Sequence, residues 1–279
     1  MRTLLFARIT LREAVRKRMV LAVLLLSAVF AGMYAFGYYK FHESFLTRPL
    51  TRGSGALGYE AAAGIMVIMG FYVVNFLAGV MAIFGAVGAI SAEIETHTFH
   101  AVLPKPLHRW EVVLGKWLGF AVMLALYVLL MTGAVLASAW SIGRYLPPNA
   151  PAAILLVILV SLLLLSLTVL GSTIFSTITN GIVVFMLYGI GLTGGLVEQI
   201  GTLLNNEVLK TIAIVASLTI PSDVVYKKAA DLMWPPSAPS VPTPFTPAVP
   251  PSAAMIVYAV LYLAAAVGGA MLVFRRRDL

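Results

Sequence analysis

The chain has 279 residues, 61% hydrophobic and 11% charged, with a formal net charge of +8 and no cysteine. A soluble domain is about half apolar and about a quarter charged, so this composition sets the chain outside the soluble globular class. Disulfides, thiolate metal sites and cysteine nucleophiles are excluded. The basic residues sit beside long apolar runs, which makes a membrane surface the expected partner and not nucleic acid.

In chain order, residues 1–18 carry Arg8, Arg12 and Arg16 at four-residue spacing, with Leu4, Leu11 and Val15 on an adjoining flank. This pattern predicts a basic amphipathic helix lying on the membrane interface. The apolar run that follows has no small-residue cleavage site after it and reads as a retained first helix.

A helix needs roughly 20 apolar residues to cross the hydrocarbon core, where every backbone polar group must be paired within the segment. Within a transmembrane domain over 19–279, six runs answer this: 19–39, 61–91, 117–140, 152–175, 181–197 and 253–274. The second is longer than a bilayer needs, so it tilts or projects past one face. The fifth is short, and Gly189, Gly191, Gly194 and Gly195 near its end predict close packing or a break. Residues 212–220 are too few to span and end at Pro221, which predicts a re-entrant or interfacial helix.

Lysines and arginines are retained on the cytoplasmic side. With the N-terminus inside, 12 of them fall in inside segments and 7 in outside ones, so both termini are expected in the cytoplasm. The segment 199–252 is then extracytoplasmic, and its prolines over 234–252 predict a stiff polyproline-type linker that could also serve recognition. The fold class expected is an all-α, multi-pass protein of the inner (plasma) membrane.

The polar segment 92–116 joins the second and third spans on the cytoplasmic side. Ile94, Thr98, Ala101 and Val102 fall near one helical face, opposed by Glu93, Glu95 and His97. Pro104 and Pro106 stop that helix, and Leu107, Trp110, Leu114 and Trp117 recur at helical spacing into the third span. A rigid corner fused to two spans suits force transmission; an ordinary amphipathic hairpin lying on the membrane fits the same spacing. Glu93 and Glu95 read either as a solvated face or as charge partners for a basic cleft. Arg109 and Lys116 could instead hold anionic headgroups. Glu93, His97 and His100 share a helix face, but no fourth ligand or His-Glu-x-x-His motif accompanies them, so no metal site is expected.

The run Glu93, Ile94, Glu95, Thr96, His97, Thr98, then Leu103, Pro104, Lys105, Pro106, Arg109, Trp110, Gly115 and Lys116 resembles the loop of the type-2 ABC exporter permeases. His97 departs from the glycine usual there. The resemblance implies that the loop is a coupling helix seated in a cleft of a separate ATPase subunit, with Glu93, Glu95, Thr98, Phe99, Leu103, Lys105, Pro106 and Arg109 at that interface. The N-terminal basic helix is similar to the family's interfacial elbow helix, and in outline the chain is similar to permeases of the kind that serve nitrous oxide reductase maturation. The family implies two ATPase copies, which bring the ATP and Mg, a second permease copy, and a possible extracytoplasmic partner protein.

No catalytic motif or cofactor site is expected in the chain itself. A phosphate-cradling loop needs G-x-x-x-x-G-K-S/T, but before and after Gly115-Lys116 the required glycine and hydroxyl are Trp110 and Trp117. The centres of the spans hold no ionisable residue, Asn75 being the most polar. That argues against an ion-driven carrier and favours a lipid-like cargo or no pathway. The other class consistent with the sequence is a non-transporting scaffold anchoring an extracytoplasmic complex through 199–252.

Overall fold

The computed structural model describes residues 7–11, 13, 18–47, 58–95, 109–236 and 251–276. These are helices and short connections: α1 (Arg18–Thr47), α2 (Tyr59–Ala86), α3 (Ser91–Glu95), α4 (Arg109–Gly143), α5 (Ala150–Ile174), α6 (Thr177–Leu203), α7 (Glu207–Thr219), α8 (Ser222–Met233) and α9 (Ala253–Arg276). Among the described residues six helices, α1, α2, α4, α5, α6 and α9, are long and apolar enough to cross a membrane.

Burial sorts the six into centre and periphery. The most apolar stretch of α2 is 67% buried inside the bundle, against 17% for α1. Helix α5, the most apolar of the six, packs against α2, α4, α6, α8 and α9. A helix apolar on all sides belongs in such a position. Polar side chains tie the layers together: Ser27 of α1 hydrogen-bonds with Tyr127 of α4 at 2.5 Å, and the Trp117 indole of α4 donates to Ser166 of α5 at 2.9 Å. In an apolar bundle, packing and such bonds replace the hydrophobic effect as the source of helix association.

The second apolar run forms one over-long span of 35 residues, Tyr59–Glu93, as its length predicts, with a turn at Val87–Ile90 between the end of α2 and α3. Helix α4, by contrast, begins at Arg109 and runs unbroken for 35 residues, about 52 Å at 1.5 Å per residue, well beyond a ~30 Å hydrocarbon core. The fifth run is also unbroken, over Thr177–Leu203, so its glycines serve packing and not a break.

At the end of the bundle opposite α3, α7 and α8 form a hairpin bent by 102° at Pro221. Asn206 caps α7 by accepting from the Val208 and Leu209 amides. The carbonyls that the break frees near the end of α7 are taken up by α9, since the Tyr258 hydroxyl donates to Leu218 O at 2.6 Å and that of Tyr262 to Thr219 O at 3.0 Å. Irregular backbone at membrane depth persists only where such partners exist. Tyr226 of α8 donates to Ile68 O at 2.8 Å, which places α8 about 14 Å along α2 from Tyr59. The hairpin is thus sunk into the bundle. Helix α8 is an addition to the sequence reading, which treated residues 222–233 as an outside segment.

Near the N-terminus, residues 7–11 and 13 are helical. Thr10 is buried, and a side chain at Gly119 of α4 would collide with Ala7 O and Thr10, so this stretch lies directly on the third span. Leu11 packs on the core while Arg8 is exposed. Arg12 and Arg16 lie outside the described residues.

Candidate functional site

The α3 end of the bundle is where the polar loop meets the spans. On α4 the buried Val112, Val113 and Phe120 mark an inward stripe, and Lys116 falls on it. A lysine on a buried stripe needs partners. Lys116 Nζ meets Glu93 Oε1 of α3 at 2.5 Å and donates to the Ala89 carbonyl in the turn. Lys116 is therefore turned inward, which corrects its reading as a ligand for lipid headgroups.

Glu95 faces the neighbouring helix. Its carboxylate accepts from the Thr177 amide at 3.1 Å and the Thr177 hydroxyl at 3.3 Å, at the first turn of α6. An anion there satisfies free N–H groups and complements the helix dipole. Ser91 adds a hydroxyl–hydroxyl bond to Thr177 at 2.8 Å. One turn further along α6, the fully buried Asn180 amide donates to Val87 O at 2.8 Å and to Thr168 O of α5 at 3.0 Å. Gly171 makes room for it, because a Cβ there would overlap the Asn180 amide oxygen.

The turn and α3 are thus held between α4 and α6, with Asn180 reaching on to α5. Glu93–Lys116 ties α3 to α4, and Glu95–Thr177 ties it to α6. The sequence singled out Glu93 and Glu95, but as a solvated face or as partners of a basic cleft; the internal partners Lys116, Thr177 and Asn180 were not legible. A polar Asn180 close to the start of an apolar run was the available signal. Thr98, Phe99, Leu103, Lys105 and Pro106 lie outside the described residues, as do His97 and His100, and Arg109 is described as the first residue of α4 only. Among the described residues, no three acidic or histidine side chains converge as metal ligands.

A second polar cluster lies at the hairpin end. Lys227 Nζ of α8 stands 2.9 Å from Asp223 Oδ2 one turn earlier, donates to Glu198 Oε2 of α6 at 2.6 Å and to Gly195 O at 3.2 Å. Lys227 and Asp223 are both buried. The glycines of α6 admit the hairpin: Cβ atoms at Gly191, Gly194 and Gly195 would collide with Ile220, Ala216 and the Asp223 carboxylate respectively, and at Gly201 with Leu209. Gly195→Ala is therefore expected to push Asp223 off α6 and to destabilise the protein by about 1–3 kcal/mol, the usual range for overpacking. Thermal unfolding in detergent reads this out, with Gly189→Ala, where a Cβ meets nothing within 4 Å, as the control that stays near wild type.

Six apolar helices with α5 packed against most of the others, a short helix α3 tied to two spans and a sunken hairpin define a multi-pass membrane protein. The chain belongs to the ABC-2 transporter family: the family model described as ABC-2 family transporter protein matches residues 5–279. It is accordingly a permease subunit of an ABC transporter, a membrane component of a family that works with an ABC ATPase. The match is to the family as a whole and does not single out the maturation exporters. Among curated proteins, none matches the chain.

Proposed function

We propose that the chain is the membrane-spanning subunit of an ABC exporter, in which a separate ATPase presses on the segment 92–109 and the push reaches α4 and α6 through Glu93 and Glu95. The observation that carries this is the pair of carboxylate contacts, Glu93 to Lys116 and Glu95 to Thr177, which link one short helix to two different spans. Ion pairs and capped helix ends of this kind resist sliding, so the loop and both spans move together.

In this reading α3 and both termini face the cytoplasm, in line with the excess of lysine and arginine on that side. The hairpin faces outward from the plasma (inner) membrane. Two copies of the permease enclose the pathway, two ATPase subunits supply the ATP and Mg chemistry, and the Pro-rich segment offers a surface to an extracytoplasmic partner. The ATPase-facing residues are Thr98, Phe99, Leu103, Lys105, Pro106 and Arg109, whereas Glu93 and Glu95 act from inside the loop.

Co-purification from the native membrane tests the reading. An ATPase chain is expected to accompany the permease, and its hydrolysis is expected to be stimulated by it. Phe99→Asp combined with Lys105→Glu is expected to remove that stimulation while the permease still inserts and purifies. Recovery without an ATPase, or stimulation unchanged in the double variant, would overturn the coupling assignment and favour the scaffold.

A further inference from the structure

The hairpin carries charge deep into the bundle. Asp223 of α8 fills the space over Gly195, which lies about 12 Å along the axis of α6 from the helix end at Leu203. Ionisable groups at such depth are costly and persist where they pair or serve a function. Here two carboxylates, Asp223 and Glu198, surround one ammonium, Lys227.

The ammonium serves them unequally. Lys227 Nζ donates to Glu198 Oε2 at 2.6 Å and to Gly195 O at 3.2 Å. Its 2.9 Å approach to Asp223 Oδ2 is out of line for a hydrogen bond, and that buried oxygen has no hydrogen-bond partner among the described residues. The other titratable groups facing Asp223 are the phenols of Tyr72 on α2, Tyr188 on α6 and Tyr226 on α8. Helix α5 has no charged residue, and α9 has arginines only at its far end. Lys210 and Lys228 are each paired within their own helix, with Glu207 and Asp231. Among the described residues, one ammonium is thus left to balance two carboxylates. Beside Asp223, a cleft of about 10 Å³ lined by Tyr72, Leu192, Leu196 and Tyr226 gives about the room that one water needs. Glu198, 35% exposed, connects the group to solvent.

A buried carboxylate without donors is disfavoured against its neutral form, and so is a second negative charge in a shared site. One proton brings the three groups to zero net charge. We propose that Glu198, Asp223 and Lys227 form a proton-binding site, which holds one proton on its two carboxyls while the hairpin is seated against Gly195. The proton belongs to the triad as a coupled unit and not to one carboxyl. Its loss leaves a negative charge in the seat and loosens α8 from α6. Proton binding needs no ATPase and is measured on the permease alone, so it stands or falls apart from the coupling assignment.

The experiment is infrared spectroscopy of the purified permease at neutral pH in an ester-free detergent, read at the C=O stretch of a protonated carboxyl. Wild type is expected to show this band and Asp223→Asn to lose it. Glu198→Gln keeps a hydrogen-bond acceptor for Lys227 and leaves one carboxyl to one ammonium, so the band is expected to vanish there too as Asp223 ionises. No band in wild type, or a band unchanged in either variant, would overturn the proposal. Thermal unfolding supplies the second readout. The folded triad holds a proton that the carboxyls of the unfolded chain, titrating near about 4, have released. Relative to Asp223→Asn, wild type is therefore expected to lose stability as the pH rises from about 5 to the value at which the band disappears. A triad with all three groups charged predicts the opposite sign, with wild type losing stability toward acid, and that result would also overturn it.

Discussion

Lys227→Met is expected to lower the stability of the permease by about 3–5 kcal/mol, the cost of removing one partner from a buried ion pair. The ammonium is 7% exposed and so is its partner Asp223, and without it two carboxylates face one another across α6 and α8 with no counter-charge among the described residues close by. Glu198, 35% exposed, is partly relieved by solvent, so Asp223 carries most of the penalty. The triple variant Glu198→Gln, Asp223→Asn, Lys227→Met removes every charge and keeps the shapes, and is expected to recover most of the loss. Thermal unfolding of all variants in one detergent makes the comparison. A single Lys227→Met substitution that unfolds like wild type would show that the triad does not hold the hairpin.

Reversing the charge of Glu93 is expected to damage both folding and coupling. Glu93→Lys sets a second ammonium against Lys116, which is buried and anchored to the Ala89 carbonyl. The expected loss is about 3 kcal/mol, the lower end of the range for buried pairs, because Glu93 is 32% exposed. Lys116→Glu is expected to be worse, since its carboxylate would also face the Ala89 oxygen. The swap of both charges is expected to regain part of the stability and part of the ATPase stimulation. If Glu93 acted instead by pairing with a basic cleft on the ATPase, the swap would restore stability but no stimulation. The two measurements, unfolding temperature and stimulated hydrolysis, therefore separate an internal tie from an external contact.

Local chemistry made much of this protein legible in advance. Six long apolar runs can be satisfied only by helices, because each backbone group must find its partner within its own segment, and the six helices are found. The glycines of the fifth run announced close approach, though not whether the helix would break. The sequence left that open because a glycine permits both outcomes, and it is the hairpin, seated against Gly191, Gly194, Gly195 and Gly201, that favours the unbroken one.

Two features escaped because their meaning depends on residues far apart in the chain. Residues 222–233 are short and carry Asp223, Lys227, Lys228 and Asp231, so hydropathy places them outside. Yet Val224, Val225, Ala229, Ala230 and Met233 were available as a buried stripe at helical spacing. Lys227 is tolerated inside because Asp223 lies one turn away and Glu198 is supplied by another helix. Likewise Lys116 looks like an interfacial lysine until the packing of the second and third spans sets Glu93 against it.

What the sequence determined by itself is the absence of a recognisable phosphate-binding loop, the all-helical membrane class, and the polar loop carrying Glu93 and Glu95. These depend on composition and on spacing within single segments. The tertiary structure alone decided what those carboxylates touch. Glu93 meets Lys116 across a turn, Glu95 meets Thr177 more than eighty residues later, and Asn180 gathers Val87 and Thr168. A buried charge or amide is stable only where its partners converge, and convergence belongs to the packed bundle and not to any one stretch of chain.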